Sequence, residues 1–235
     1  MTVSRETLAA VVARHRLPSG SAEALRGLLL ALEDEPDPPT TLRTSEEALD
    51  GHVADSLSGV DLPELAGAGA IVDIGAGAGF PGLALAVAMP AALVDLIESN
   101  RNKCGVISRL ASAAALTNAR ALPIRAEEWA AGEGAGAYDA VTARALAPLP
   151  VLAEYAAPLL HRGGALVAWK GARDSREEAA GASAAEQLGM RAERIVRVEP
   201  FAGARQRHLH VYIKVAATPA RFPRRVGVAR KRPLA

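Results

Sequence analysis

The chain has little cysteine and few aromatic residues. Among its 235 residues there is one cysteine, Cys104, which excludes a disulfide framework, and no set of Cys and His residues has the spacing of zinc ligands. We therefore expect a protein of a reducing compartment, by default the cytoplasm, without a metal site. The aromatic content of 3% argues against a stacking platform for single-stranded nucleic acid.

Long apolar runs are also missing. No stretch approaches the ~20 apolar residues that a membrane-spanning helix requires, and Met1 is followed by Arg5, Glu6 and a helical pattern instead of a signal peptide. We expect a protein that is neither exported nor membrane-spanning, has no membrane partner and acts as a monomer. At this length, with 50% apolar residues, the chain can form one core with a small appendage.

Acidic residues are absent from the C-terminal end. Residues 201–235 hold nine Lys and Arg and no Asp or Glu, whereas residues 1–200 hold the other 18 bases and all 26 acids. Residues 218–235, with several prolines, predict a flexible basic tail that either contacts RNA phosphates or only solubilises the protein. The candidate RNA contacts are Arg205, Arg207, His208, Arg224, Arg225, Arg230, Lys231 and Arg232.

Residues 1–66 predict a small helical extension. Apolar residues recur at helical spacing from Ser21 to Leu32, and the prolines of residues 35–41 then predict a linker. Thr44 and Glu47 have the spacing of a capping box, which predicts that a second helix begins there. The main domain follows over residues 67–217.

Strand and helix patterns alternate beyond Ala70. Segments such as "AIVDIGA", "ALVDLIES" and "YDAVTARA" read as strands, each followed by a helical pattern, and such repeated units predict a parallel sheet with helices on both faces. The last two segments, "RIVRVEP" and "HLHVYIKV", are close enough to form an antiparallel pair. The predicted fold is α/β, with a doubly wound, mostly parallel, seven-stranded sheet.

The stretch "IVDIGAGAGFPG" predicts a ligand loop after the first strand. Glycines at 75, 77 and 79 allow the backbone to turn sharply and to approach a ligand closely, and Pro81 suits the start of a helix. The spacing is G-x-G-x-G, not the G-x-G-x-x-G of dinucleotide-binding proteins. It therefore fits S-adenosylmethionine better than NAD, with Gly75 and Gly77 as candidate contacts.

Polar residues follow three further predicted strands. Glu98 ends the second strand, where its carboxylate could bind both hydroxyls of an adenosyl ribose. Ala126 and Glu127 follow the third strand and could meet an adenine edge, and Arg144 ends the fourth. Each could instead be an ordinary loop-end or salt-bridge residue.

These motifs resemble those of the bacterial small-subunit ribosomal RNA guanine-N7 methyltransferase family, also known as glucose-inhibited division protein B. The matching pieces are "HVADSL", "DIGAGAGFPG", "RAEEW", "YDAVTARA", "AWKG" and "RHLHVYIK", in order over about residues 40–215. The resemblance implies a class I, Rossmann-like, S-adenosylmethionine-dependent fold and methylation of N7 of one guanine in 16S ribosomal RNA, on the RNA or the small-subunit particle. The cofactor contacts that it implies are Gly75, Phe80, Ala126, Glu127 and Arg144.

Guanine N7 carries no proton, so its attack on a methyl group needs no prior deprotonation. We therefore predict no obligatory general base, and Arg144 has at most a positioning role. His52 and Asp55, three residues apart, are either pocket-wall residues or proton-transfer partners. Two other functions stay open: a methyltransferase for a small molecule or a protein, and an RNA-binding protein that has kept the fold without the reaction.

Overall fold

The computed structural model describes residues 3–42 and 44–234. One mixed sheet of order β3-β2-β1-β4-β5-β7-β6 crosses the centre. Strands β1 to β5 are parallel to one another, and β7 is antiparallel to both β5 and β6. The predicted doubly wound, seven-stranded α/β fold is confirmed. The strands are β1 (Ala70–Ile74), β2 (Leu93–Ile97), β3 (Ala119–Leu122), β4 (Tyr138–Arg144), β5 (Leu160–Lys170), β6 (Met190–Val198) and β7 (Arg207–Lys214).

Helices cover both faces of the sheet and form the N-terminal extension. None in the described part of the chain is long and apolar enough to cross a membrane. Their bounds are α1 (Arg5–Arg14), α2 (Ser21–Glu33), α3 (Ser45–Ala48), a π-helical turn (Leu49–Ala54), α4 (Asp55–Leu57), α5 (Pro63–Ala66), α6 (Gly82–Ala88), α7 (Arg101–Ala113), α8 (Ala126–Ala130), α9 (Leu149–Ala156), α10 (Ser175–Gln187) and α11 (Val228–Lys231).

Two apolar cores lie on opposite faces of the sheet, because successive strand side chains point to opposite sides. In β1, Ile71 belongs to the core that also contains α2, α6 and α7, whereas Val72 and Ile74 belong to the core that contains α9. The extension packs on the first core through the buried stripe of α2 that its sequence spacing predicts.

The capping box at Thr44 is confirmed, and the helix that it starts changes shape after one turn. The Thr44 hydroxyl accepts from the Glu47 amide, and the Glu47 carboxylate accepts from the Thr44 amide. From Leu49 to Ala54 the turn widens into a π-helix, a local feature that often accompanies a functional site. This turn places His52 beside Arg144, at the carboxyl end of β4.

The described part of the tail packs against the domain in this structure, and the flexibility that the sequence suggests stays a prediction. Phe222 and Ala229 are buried in the core on the α9 face. Arg224 forms a bidentate ion pair with Glu154 of α9, whose side chain is only 3% exposed. A buried carboxylate requires a counter-charge, so this acid in an otherwise apolar helix supplies the physical reason for the packing of the tail on α9.

Candidate functional site

The loop after β1 is shaped by three glycines with positive φ. They are Gly75 (φ +67°), Gly77 (φ +57°) and Gly79 (φ +94°). A Cβ atom on Gly75 would lie 2.4 Å from the Leu146 side chain, whereas a Cβ atom on Gly77 would meet no atom closer than 3.9 Å. Gly77 therefore borders open space inside the cavity, which is where a ligand can approach the backbone.

Asp73, near the end of β1, hydrogen-bonds the residue that follows this loop. Its carboxylate accepts from the Gly82 amide at 2.9 Å and from the Thr142 hydroxyl at 3.0 Å. Burial raises the pKa of Asp73 to about 7, although both hydrogen bonds favour the ionised form. Asp73 thus fixes the start of α6 relative to β4 and does not reach the cavity.

Glu98 stands opposite the loop, directly after β2. Its Oε2 accepts from the Gly77 amide at 3.2 Å, and its Oε1 accepts from the Asn100 amide at 2.8 Å. These bonds fix the carboxylate at the cavity wall. Since each carboxylate oxygen can accept more than one hydrogen bond, the group can still bind a pair of ligand hydroxyls.

The candidate adenine contacts lie at the start of α8. Ala126 and Glu127 both line the cavity. Glu127 Oε1 accepts from the amide of Gly227 at 2.9 Å. Gly227 belongs to the described part of the tail, residues 218–234, which is called the C-terminal segment from here on. Sequence analysis does not foresee this contact. The C-terminal segment therefore reaches the same part of the cavity.

Arg144 is hydrogen-bonded to the N-terminal extension. Its Nη1 donates to Asp55 Oδ2 at 2.9 Å and to the Gly51 carbonyl at 3.0 Å, and its Nη2 donates to His52 Nδ1 at 2.8 Å. The Arg144 side chain is thus a link between β4 and the π-helical turn. A direct cofactor contact of Arg144, which the resemblance implies, stays a prediction.

His52 is held as a neutral ring. Because a guanidinium can only donate, Nδ1 of His52 must be the acceptor from Arg144, and Nε2 then donates to the Thr40 hydroxyl at 2.8 Å. Burial and the neighbouring Arg144 charge lower the pKa of His52 to about 4. The ring also stacks on Phe80 with centroids 4.8 Å apart. Because both ring nitrogens are already hydrogen-bonded, His52 serves in this arrangement as part of the cavity wall.

Asp55 has one carboxylate oxygen without a hydrogen-bond partner among the described residues. This atom, Oδ1, is buried and lies 3.4 Å from Arg207 Nε. The Asp55 carbonyl accepts from Trp169 Nε1 at 2.8 Å. Asp55, Arg207 and Trp169 all line the cavity, so its wall is partly polar and charged at this end.

Gly77, Glu98, Glu127, Arg144, His52 and Asp55 line one cavity of about 820 Å³. It lies at the carboxyl ends of β1, β2 and β4, where ligands bind in open α/β sheets. Every candidate cofactor residue from the sequence lines it: Gly75, Gly77, Phe80, Glu98, Ala126, Glu127 and Arg144. Among the residues that the structure describes, six cationic residues line it against three acidic ones, namely Lys103, Arg125, Arg144, Lys170, Arg207 and Arg230 against Asp55, Glu98 and Glu127.

The candidate RNA residues divide into inward and outward groups. Arg207 and Arg230 line the cavity, Arg224 is paired with Glu154, and the His208 ring bonds the Gly171 carbonyl. The remaining four, Arg205, Arg225, Lys231 and Arg232, are exposed, as Arg230 is, but unlike Arg230 they are not among the cavity-lining residues. Their charge is available to an external partner.

Sequence reasoning misses several residues of this site. Thr40 and Trp169 bond His52 and Asp55, respectively, across long sequence separations. Glu154 holds the C-terminal segment. Trp169 lies in the quoted motif "AWKG", and Glu154 has a physical signal, because an acid within the apolar stretch "PLPVLAEYAAPLL" requires a cation that the basic tail can supply.

The sheet order, the antiparallel β7 and the glycine loop facing Glu98 define a class I S-adenosylmethionine-dependent methyltransferase. The sequence profile of one family, rRNA small subunit methyltransferase G, matches residues 39–210. The chain belongs to this family.

Curated relatives agree with this assignment. The chain is 40% identical over 199 residues to ribosomal RNA small subunit methyltransferase G of Deinococcus radiodurans, covering 83% of this chain and 78% of that one. It is 39% identical over 186 residues to the protein of the same name from Syntrophomonas wolfei, with 79% and 86% covered.

Solved structures share the fold. Methanococcus jannaschii fibrillarin, a pre-rRNA processing protein, matches with a TM-score of 0.53 and 20% identity over 69% of this chain and 74% of that one. Aeropyrum pernix fibrillarin in complex with natively bound S-adenosyl-L-methionine matches with a TM-score of 0.52 and 16% identity, covering 68% and 73%. At these identities the likeness concerns the fold alone.

Proposed function

We propose that this protein transfers the methyl group of S-adenosylmethionine to N7 of one guanine in 16S ribosomal RNA, acting as a monomer in the cytoplasm. Family membership supports the reaction and the ribosomal substrate, and the resemblance in the sequence motifs supports N7 of guanine. The observation that carries the proposal is that the glycine loop, Glu98 and several cationic side chains line the same cavity.

The cofactor half of the cavity fits S-adenosylmethionine. The whole cavity, of about 820 Å³, lies within the size range of small-molecule sites. Gly77 leaves space where a side chain would intrude, and the Glu98 carboxylate is fixed where it can accept from both ribose hydroxyls. When bound, the cofactor supplies a methyl group on a positively charged sulfur. The chain holds it through backbone groups of the loop, Glu98, Ala126 and Glu127.

The substrate half fits a nucleotide. The excess of cations at the cavity suits a phosphate-rich partner, and we assign further phosphate contacts to the exposed Arg205, Arg225, Lys231 and Arg232. N7 has a free lone pair, so the protein needs to align it and exclude water, not remove a proton. The neutral, doubly hydrogen-bonded His52 is consistent with a reaction that uses no histidine base.

The direct experiment is methyl transfer with a labelled cofactor. Small-subunit particles and stripped 16S RNA, both from a strain that lacks the modification, are incubated with the protein, and the RNA is then digested to nucleosides. We expect the label in N7-methylguanosine. Label at another base, or none despite measurable cofactor binding, contradicts the proposal and favours a small-molecule or protein substrate or a non-catalytic role.

A pair of glycine variants tests whether the reaction depends on this cavity. Gly77→Ala adds a methyl group at φ +57° where no protein atom is close, so the fold should persist while the ligand space is reduced. Gly136→Ala is the matched control, since φ is +60° and nothing lies within 4 Å. We expect at least about a tenfold loss of cofactor affinity for Gly77→Ala and wild-type binding for Gly136→Ala.

A further inference from the structure

The C-terminal segment, residues 218–234, runs along the α9 face and ends beside the cavity. Thr218 donates to the Ala157 carbonyl at 3.0 Å and anchors its start. Phe222 and Ala229 are buried against the core of that face. The family profile ends at residue 210, so the segment lies outside the matched region and requires its own explanation.

A buried charge fixes the middle of the segment. Glu154 lies on α9, in which every residue is buried, and its two carboxylate oxygens face the guanidinium of Arg224. Arg224 Nη2 also donates to the Arg232 carbonyl at 2.9 Å, which closes residues 224–232 into a compact loop. Detaching the segment would leave Glu154 without a counter-charge.

Two contacts join this loop to the cavity. The Gly227 amide donates to Glu127 Oε1 at 2.9 Å, and Gly227 has φ +78°, a conformation that favours glycine. Arg230 Nη2 donates to the Leu146 carbonyl at 2.7 Å. Glu127, Leu146 and Arg230 all line the cavity, on the side where Ala126 begins α8.

We propose that the C-terminal segment is a wall of the cofactor pocket: Gly227 holds the Glu127 carboxylate in position, and Arg230 closes the pocket beside Leu146. The inference rests on the proposed function, because it concerns how the same cofactor is held. It gives Arg224 and Arg230 a role within the protein in place of the RNA contacts that their sequence position predicts.

Cofactor binding without RNA tests this wall. S-adenosylhomocysteine is titrated by calorimetry into the wild type, Arg230→Ala, and a chain truncated after Thr218 that also carries Glu154→Gln to remove the bare charge. The control is Lys231→Ala, which changes an exposed neighbour. We expect Kd to rise at least about tenfold on truncation, several-fold for Arg230→Ala, and less than about twofold for Lys231→Ala.

Hydrogen exchange on the intact chain covers the case in which the truncated chain does not fold. Saturating S-adenosylhomocysteine should slow exchange both in residues 75–82 and in residues 222–232. The proposal that the segment forms a wall of the cofactor pocket is wrong if hydrogen exchange slows in residues 75–82 alone. It is also wrong if both Arg230→Ala and the truncated chain bind S-adenosylhomocysteine with wild-type affinity. No binding and no slowing anywhere in the wild type instead contradicts the proposed function itself.

Discussion

The N-terminal extension and the C-terminal segment are attached to the sheet domain by the same kind of contact with the charges reversed. The extension supplies the acid, Asp55, to Arg144 of the domain. The segment supplies the base, Arg224, to Glu154 of the domain. In both pairs the carboxylate is buried, and in both the attached element borders the ligand cavity.

The two elements differ in how much apolar surface supports the ion pair. The extension buries the leucines of α2 together with Val53 and Leu57 in one core, and each buried leucine contributes roughly 1.5–3 kcal/mol. Among the described residues, the segment buries just Phe222 and Ala229 and packs Leu234 against the other core in a partly buried position. We infer that the extension would stay docked without its ion pair, whereas the segment depends on its pair to stay in place.

The largest effect is expected from Arg144→Met. Asp55 would keep only the longer 3.4 Å contact with Arg207 as a counter-charge, and the Gly51 carbonyl and His52 Nδ1 would lose their donor. We expect the free energy of unfolding to fall by about 3–5 kcal/mol and cofactor affinity to fall with it. Urea unfolding should still show one transition, because apolar packing keeps the extension docked.

Arg26→Met is the matched control for this variant. Arg26 pairs with Glu23 on the surface of α2, where both side chains are exposed, so the loss should stay within about 1 kcal/mol. If Arg144→Met costs no more than Arg26→Met, or if the extension unfolds in a separate transition, the contrast between the two attachments is wrong.

Arg224→Met tests the weaker attachment. The loss in unfolding free energy should be smaller, about 2–3 kcal/mol, because the segment can detach and let water reach Glu154. Hydrogen exchange in residues 222–232 should therefore accelerate selectively. Arg225→Met, at the exposed neighbouring position, should leave exchange unchanged. Slow exchange of the segment in Arg224→Met would show that Phe222 and Ala229 suffice to hold it.

A third buried carboxylate sharpens the comparison, because Asp73 accepts hydrogen bonds and forms no ion pair among the described residues. Burial raises its pKa from 3.8 to about 7. The contribution of protonated Asp73 to the free energy of unfolding is therefore fully present below about pH 4 and is lost as pH rises through 7. Relative to Asp73→Asn, the wild type should lose about 2 kcal/mol of unfolding free energy between pH 5 and 7.

The titration of His52 has the opposite effect on the pH dependence of stability. The Asp73→Asn variant is therefore needed to separate the two contributions. Its pKa is lowered to about 4, so the stability it contributes is present above pH 6.5 and is lost as pH falls through 4. Between pH 4 and 6.5 the contribution of His52 to the free energy of unfolding rises with pH while that of Asp73 falls, so the two partly cancel. The difference between wild type and Asp73→Asn isolates Asp73, and a difference that does not vary with pH contradicts its raised pKa.

Local patterns were sufficient to predict the fold. The capping box at Thr44, the βα alternation and the glycine spacing each depend on residues close together in the chain, and the corresponding elements form. The cavity residues that end strands were predictable for the same reason, since parallel strands bring their carboxyl ends to one edge of the sheet.

Pairings between distant residues could not be predicted in this way. Arg144 contacts Asp55 across 89 positions, and Arg224 contacts Glu154 across 70. A basic, proline-containing tail looks the same in sequence whether its cations face solvent or a buried acid. Composition therefore predicted a flexible RNA-binding tail, and it could not separate the inward Arg224 and Arg230 from the outward residues.

The smallest effect is expected from the outward cations of the segment. Arg225→Ala, Lys231→Ala and Arg232→Ala should each weaken binding to a 16S ribosomal RNA fragment by about 1 kcal/mol or less while leaving affinity for S-adenosylhomocysteine unchanged. Each lost phosphate contact should reduce the slope of log K against log salt by roughly 0.7–0.9. Titrations between 50 and 200 mM salt measure this slope. An unchanged slope in the triple variant would mean that these cations only solubilise the protein, and that RNA is held by the cations of the cavity.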